Sequence, residues 1–297
     1  MNVANEQQNK KFKDTILMEG LNTMKKKDGR TAVISFTNSK GGTCKTSSLL
    51  NVSHGLANEG YKVLMIDMDA SQNNLSLIAT GNEEYYNKAG IQDVLLTQLN
   101  YTNQTDRIEM EEVIQNVKPN LDIITSTIDL MGVEMMIAGA SIGRELILKR
   151  ALQNIVDSKE YDFIFLDLAP SVSQLTINCY CASTALVIPC SLTFLSYKGI
   201  KLIEDNYYKA KENLNHKLEI YGVIETLDDN TLHSKEIKEK LNKEYNILGC
   251  IPTTVQGKDV IYSAEKNIMD FAPNSKLAKA YAKVVSRIIE DYENGVI

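Results

Sequence analysis

Residues 31–69 read TAVISFTNSKGGTCKTSSLLNVSHGLANEGYKVLMIDMD, and the order of their parts decides the fold. Thr31–Thr37 is a short run rich in β-branched and aromatic side chains, the composition of a buried strand. The polar loop NSKGGTCK follows it. Leu49, Leu50, Val52, Leu56 and Ala57 then recur on one helical face, and Gly60 stops that helix. Lys62–Asp69, KVLMIDMD, is a second apolar run that closes in two carboxylates. Strand, loop, helix and strand make a βαβ unit, which implies a parallel sheet covered on both faces.

The same alternation continues toward the C-terminus. LDIITS (121–126), ALVIPCS (185–191), EIYGVIET (219–226) and ILGCIPT (247–253) read as further strands, as does YDFIFLDLAPS, whose strand ends at Asp167 just before Pro170. Helical periodicity falls at 91–99, 108–117 and 143–156. It returns from about Ser275 to Tyr292, where Leu277, Tyr281, Val284, Val285 and Ile288 share a face. The expected fold is α/β: one doubly wound, mostly parallel sheet with helices on both faces, over residues 31–297. Residues 1–30 are polar and Lys-rich, yet Phe12, Ile16, Leu17, Leu21 and Met24 keep helical spacing. They predict an N-terminal helical extension that packs on the domain or takes part in dimerisation.

Composition narrows the classes. No apolar stretch approaches the roughly 20 residues that span a bilayer, and the first residues lack the apolar core of a secretory signal. A cytoplasmic protein without a membrane partner is expected. The five cysteines are scattered, with no CxxC pair or matching His spacing for zinc, and Cys179 and Cys181 read as small residues at a helix start. A net charge of -6 gives no hint of nucleic acid, but a local basic patch made by folding is compatible with it.

The chemistry concentrates in Lys40-Gly41-Gly42-Thr43-Cys44-Lys45-Thr46-Ser47. A phosphate cradle needs inward backbone N–H groups, glycines where the chain approaches the phosphates, and a helix N-terminus behind. Lys45 is placed to neutralise β/γ-phosphate charge, and the Thr46 hydroxyl to ligate Mg²⁺. The ordinary pattern G-x-x-x-x-G-K-[ST] fails, because Ser39 and Cys44 stand at its glycine positions. Asp167, ending an apolar strand at the carboxyl edge of the sheet, suits a Mg²⁺ ion held through water. Asp67 is expected to support the loop or the Mg²⁺ shell.

The form K-G-G-x-x-K-[ST], opened by a lysine, resembles the ParA/MinD group of P-loop ATPases. Asp67-Met68-Asp69-Ala70-Ser71-Gln72 is similar to that group's second motif, usually D-x-D-P-Q, with Ala70 and an inserted Ser71 as departures. Asp167-Leu168-Ala169-Pro170-Ser171, with Leu175-Thr176-Ile177-Asn178, resembles the Walker B and switch segment of ParA proteins. Val187-Ile188-Pro189 also fits. The resemblance implies ATP and Mg²⁺ as cofactors, with the loop residues 40–47 and Pro252 at the nucleotide. It gives Asp69 the positioning of the attacking water. It gives Lys40 a reach across a homodimer to the partner's phosphates, like an arginine finger.

It further implies non-specific DNA as a ligand, and a ParB-like or ribbon-helix-helix centromere-binding protein as the activating partner, at the nucleoid. Lys258 and Lys266, in TTVQGKDVIYSAEKN, fall where relatives carry DNA-binding basic residues, although the arginines common there are absent. Lys235, Lys238, Lys240 and Lys243 alternate with Glu236, Glu239 and Glu244, the pattern of a solvated, salt-bridged helix face. Three other readings compete. A MinD-like membrane ATPase needs a basic amphipathic tail, whereas this chain's last helix ends Glu290-Asp291-Tyr292-Glu293. A metabolic enzyme of the same fold, such as an amidoligase or iron–sulfur reductase, lacks support in the cysteine pattern. A nucleotide-gated scaffold with little turnover is disfavoured by the retention of Asp69 and Lys40.

Overall fold

The computed structural model describes residues 29–99, 107–253 and 267–297. The expected N-terminal helix, Lys258 and Lys266 lie outside the described residues. Eight strands form one sheet in the order β3-β4-β2-β5-β1-β6-β7-β8. They are β1 (Ala32–Phe36), β2 (Val63–Met68), β3 (Gln115–Lys118), β4 (Leu121–Ile124), β5 (Phe163–Leu168), β6 (Ala185–Ser191), β7 (Glu219–Asp228) and β8 (Ile247–Pro252). All neighbours pair in parallel except β3 and β4. The doubly wound α/β fold expected from the sequence is the fold observed.

β2 shows why the strands read as unbroken apolar runs. Leu64, Ile66 and Met68 enter one hydrophobic core while Val63 and Met65 enter the other, so successive side chains are buried on opposite faces. The first core is completed by α3 (Ile91–Leu99), α4 (Leu130–Gly139), α5 (Ile147–Ser158), α6 (Gln174–Ala182), α7 (Phe194–Asn213) and α8 (Leu232–Glu244). The second is completed by α1 (Lys45–Asn58), α2 (Asn74–Thr80), α9 (Ile268–Phe271) and α10 (Lys276–Glu293). Leu277, Tyr281, Val284, Val285 and Ile288 of α10 are all buried there, so the apolar face of the last helix is spent on the core. No helix among the described residues is long and apolar enough to cross a membrane.

Several local expectations are corrected. The spacing at 108–117 is not a helix: Met110–Val113 is one 3-10 turn, and Gln115–Lys118 is the antiparallel edge strand β3. Ile108, Met110, Val113 and Ile114 face the first core and Val117 the second, so two separate contacts imitate a helical period. The 143–156 helix starts only at Ile147, because Gly143 takes φ +69 and Arg144–Leu146 forms a 3-10 turn. α4 has no counterpart among the expected elements, since LMGVEMMIAG is apolar almost all round and shows no period. Cys179 and Cys181 lie in the second half of α6, buried, rather than at a helix start. In α8, Lys235, Lys240 and Lys243 are exposed, but Lys238 turns to β7, 2.7 Å from Asp228.

α1 runs directly behind the loop, and α10 crosses it closely. A Cβ placed on Gly55 would lie 2.5 Å from Val285 Cγ2, inside van der Waals contact. We expect Gly55→Ala to lower stability by about 1–3 kcal/mol through overpacking, despite alanine's better helix propensity. A lower urea midpoint with an unchanged slope checks this; an unchanged or raised midpoint contradicts it.

Candidate active site

The carboxyl edge of the sheet gathers the polar residues that its buried strands exclude. β1 lies between β5 and β6, the chain having run to one side for β2 and to the other for β6, so the crevice at its end is a topological switch point. Phe36 pairs with Asp167, and Asp167 in turn pairs with Asp67 on β2. Register alone therefore sets two carboxylates side by side next to the loop that leaves β1.

That loop is fastened at both ends. Asn38 Nδ2 donates to Pro189 O on β6 at 2.8 Å, while its Oδ1 accepts from Lys40 N at 3.0 Å. Thr226 Oγ1 on β7 donates to Thr43 O at 3.1 Å. A Cβ at Gly41 or Gly42 would meet nothing within 4 Å, so the loop opens onto free space where a ligand could approach the backbone. Gly42 takes φ +73, and Cys44, at the usual glycine position, takes φ +63. A left-handed non-glycine residue costs roughly 1–2 kcal/mol, strain held at the N-terminus of α1. The first-turn N–H groups of α1, which follows this loop directly, have no intrahelical acceptors.

The two loop lysines differ in environment. Lys45 is 7% exposed, and its Nζ reaches Lys40 O at 3.4 Å. Burial lowers its ammonium below the usual lysine range, and the charges of Asp167 and Asp69 oppose that shift. Lys40 is exposed, and its ammonium makes no ion pair among the described residues.

Thr46 Oγ1 donates to Asp167 Oδ2 at 2.6 Å. Asp167 Oδ1 is buried with no hydrogen-bond partner among the described residues. Burial, and then the neighbouring Asp67 charge, raise the Asp167 carboxyl well above its ordinary value. An unpartnered carboxylate oxygen beside a threonine hydroxyl is the donor set of a Mg²⁺ site, so the residues present fit that ion.

Asp67 is committed elsewhere. Its Oδ2 accepts from Ser76 N at 2.9 Å and Ser76 Oγ at 2.7 Å, and its Oδ1 accepts from Asp69 N at 3.0 Å. Burial still pushes it up to about 6. These hydrogen bonds tie it to the Asp69 turn and to α2, and its charge acts on the neighbouring Asp167. Asp69 is 6% exposed, and its Oδ1 accepts from Ser71 N at 3.0 Å and Ser71 Oγ at 2.6 Å. Ser71, read from the sequence only as a departure, is thus the residue that orients Asp69. An Asp followed two positions later by Ser is the available signal, an Asx-type turn. Pro252 ends β8, with β6 and β7 between it and β1.

A family model described as an AAA domain matches residues 31–220. The chain is 30% identical over 261 residues to the sporulation initiation inhibitor protein Soj of Bacillus subtilis, covering 86% of this chain and 97% of that protein. The chain belongs to the ParA/MinD family of P-loop ATPases. Among solved structures, a plasmid partition protein of Borrelia burgdorferi bound to AMPPNP superposes with TM-score 0.70 at 21% identity, over 88% of this chain and 100% of that one. Cobyrinic acid a,c-diamide synthase of Mycobacterium smegmatis, with bound ATP analog and magnesium, gives TM-score 0.73 at 24% identity, over 89% and 97%. Both are likenesses of fold.

For this ParA-type chain, Asp167→Asn separates stability from cation binding. A buried carboxyl with a raised pKa opposes folding above its folded value, and that penalty disappears as pH falls and it takes up a proton. The variant should therefore melt above the wild type at pH 8 without ligand, and the gap should close as pH falls toward the unfolded carboxyl value. Mg²⁺-dependent nucleotide affinity should drop about 10–100-fold. Calorimetry across pH, with and without Mg²⁺-ATP, reads both; a pH-independent gap would contradict the assignment.

Proposed function

We propose that this ParA-type ATPase binds ATP with Mg²⁺, dimerises around it, and grips DNA without sequence preference until slow hydrolysis resets it. The observation that carries the reading is the opposite setting of two lysines five residues apart. Lys45 is buried against its own loop, where it serves the β/γ-phosphates of the nucleotide held by residues 41–47. Lys40 stands exposed at the rim with an anchored backbone, where it meets the phosphates of a partner's ATP. Thr46 and Asp167 would hold Mg²⁺, which would supply charge neutralisation at the phosphates. Asp69, fixed by Ser71, orients the attacking water.

The surroundings support assembly through this edge. Met131 follows β4, Val172 follows β5, and Phe194 and Leu195 follow β6, so all stand at the carboxyl end of the sheet. They are 48%, 41%, 45% and 61% exposed. Apolar side chains left exposed around a polar crevice fit a surface that a second copy covers. Lys258 and Lys266 are proposed as DNA phosphate contacts, and a ParB-like or ribbon-helix-helix centromere-binding protein as the activator, in a nucleoid-associated cytoplasmic cycle.

Two variants with the same low turnover test this through opposite assembly states. Asp69→Ala keeps Lys45, Thr46, Asp167 and Lys40, so it should bind Mg²⁺-ATP, dimerise and stay on DNA, with hydrolysis down about 10²–10⁴-fold. Lys40→Ala should bind ATP but remain monomeric and release DNA. Light scattering with ATP, beside DNA retention in ATP, ADP and no nucleotide, distinguishes them. A monomeric Asp69→Ala protein, or DNA retention that ignores nucleotide, would overturn the reading.

Lys258→Ala should weaken binding similarly on unrelated DNA sequences. It should also reduce the slope of log affinity against log salt by about one unit. Binding titrations with ATP at several salt concentrations measure the slope, and an unchanged value removes Lys258 from the interface.

A further inference from the structure

α7 carries a glycine, Gly199, near its N-terminal end, in a helix otherwise free of glycine. Glycine weakens a helix interior relative to alanine, so its presence calls for a local reason. The reason is a close approach. A Cβ on Gly199 would stand 2.9 Å from Asn38 Oδ1, 3.0 Å from Ser39 Oγ and 3.6 Å from Lys40 Cβ. These three residues are the stem of the lysine-bearing loop.

The same contacts hold that stem in place. Asn38 is 1% exposed and is gripped from two sides, donating to Pro189 O at 2.8 Å and accepting from Lys40 N at 3.0 Å. Ser39 Oγ donates to Gly199 O at 2.9 Å. The Lys40 backbone is thus bracketed between the end of β6 and the backbone of α7. Lys45 and Thr46 lie beyond the bracket, in α1.

We propose that Gly199, Asn38 and Ser39 are positioning residues for Lys40, with α7 setting where that lysine stands through a contact that leaves no room for a Cβ. The inference rests on the reading of Lys40 as the residue that reaches a partner's nucleotide. Displacing the bracket moves Lys40 first; the cradle of the same protomer feels it through the long contacts of Lys40 O with Thr43 Oγ1 at 3.3 Å and Lys45 Nζ at 3.4 Å, while Thr46 stays tied to Asp167 and Thr43 O to Thr226. The larger effect therefore belongs to dimerisation and turnover, with first binding of ATP changed little.

Gly199→Ala is the direct test, with Asn38→Ala as a second variant that removes the Lys40 N–H acceptor without adding bulk, and Lys40→Ala as control. Melting temperature, affinity for a fluorescent ATP analogue, kcat, KM and ATP-dependent dimerisation are measured on full-length proteins. Gly199→Ala and Asn38→Ala should keep analogue affinity within about twofold while kcat falls about tenfold or more, since misplacing a reacting group by an ångström can cost up to 10²-fold. Dimerisation should weaken in step. The double variant should lose less than the product of the single losses, because removing the Asn38 amide relieves the clash that the methyl added by Gly199→Ala creates. If Lys40→Ala abolishes turnover and dimerisation while the other two behave as wild type, the positioning inference is overturned and the in-trans reading stands. Losses in melting temperature and analogue affinity that account for the whole effect also overturn it, as a purely structural role. If Lys40→Ala itself is normal, both readings fall.

Discussion

The 2.6 Å hydrogen bond from Thr46 Oγ1 to Asp167 Oδ2 joins the first turn of α1 to the end of β5, and the site is organised around it. It stabilises one oxygen of a carboxylate that burial and the register-paired Asp67 both disfavour as an anion. The other oxygen is left without a partner among the described residues. The sheet imposes this arrangement. Strands covered on both faces are mostly apolar along their length, so Asp67 and Asp167 come near their carboxyl ends and crowd there. Asp67 is relieved locally by Ser76 and the Asp69 N–H, and Lys45 adds a nearby positive charge. The remaining cost is what a divalent cation would remove, so nucleotide-free stability and cation affinity are two sides of one electrostatic conflict.

Backbone strain is stored at the same place. Cys44 and Asn73, each at the N-cap of a helix facing the crevice, both take left-handed conformations. Asn73 is held by Asp69 O and by Ser126 Oγ at 2.7 Å, so its turn is fixed by tertiary contacts. Cys44 has no side-chain cap and depends on the loop around it. Local rules are broken where ligand chemistry needs free N–H groups and close approach, and kept through the core.

Much of the fold was legible because parallel strands buried on both faces leave continuous apolar runs. ALVIPCS coincides with β6 to the residue, and Ile91–Leu99 with α3. α4 was illegible because its sequence is apolar nearly all round, and β3 because residues facing two different cores reproduce a helical spacing. In the site, Lys40, Lys45, Thr46, Asp69 and Asp167 stood out because motif chemistry fixes their types and order. Asn38, Ser71, Ser76 and Gly199 did not, since each acts through a side chain-to-backbone bond or close approach that exists only once the turns are formed. The charge run of α8 shows the same limit: Lys238 looked solvated until folding placed Asp228 beside it.

The proposed cycle needs two lysines of one loop to serve two different nucleotides. Mixing Lys40→Ala protein with Lys45→Ala protein examines that division directly. Each variant alone should hydrolyse ATP at background rates. In the mixed dimer, Lys45 of the first holds ATP while Lys40 of the second reaches it, which rebuilds one complete site. Recovery of ATPase activity on mixing, rising with protein concentration, is the predicted result. A mixture whose rate is only the sum of its two inactive components would contradict the account, because both lysines would then serve the same nucleotide within one chain.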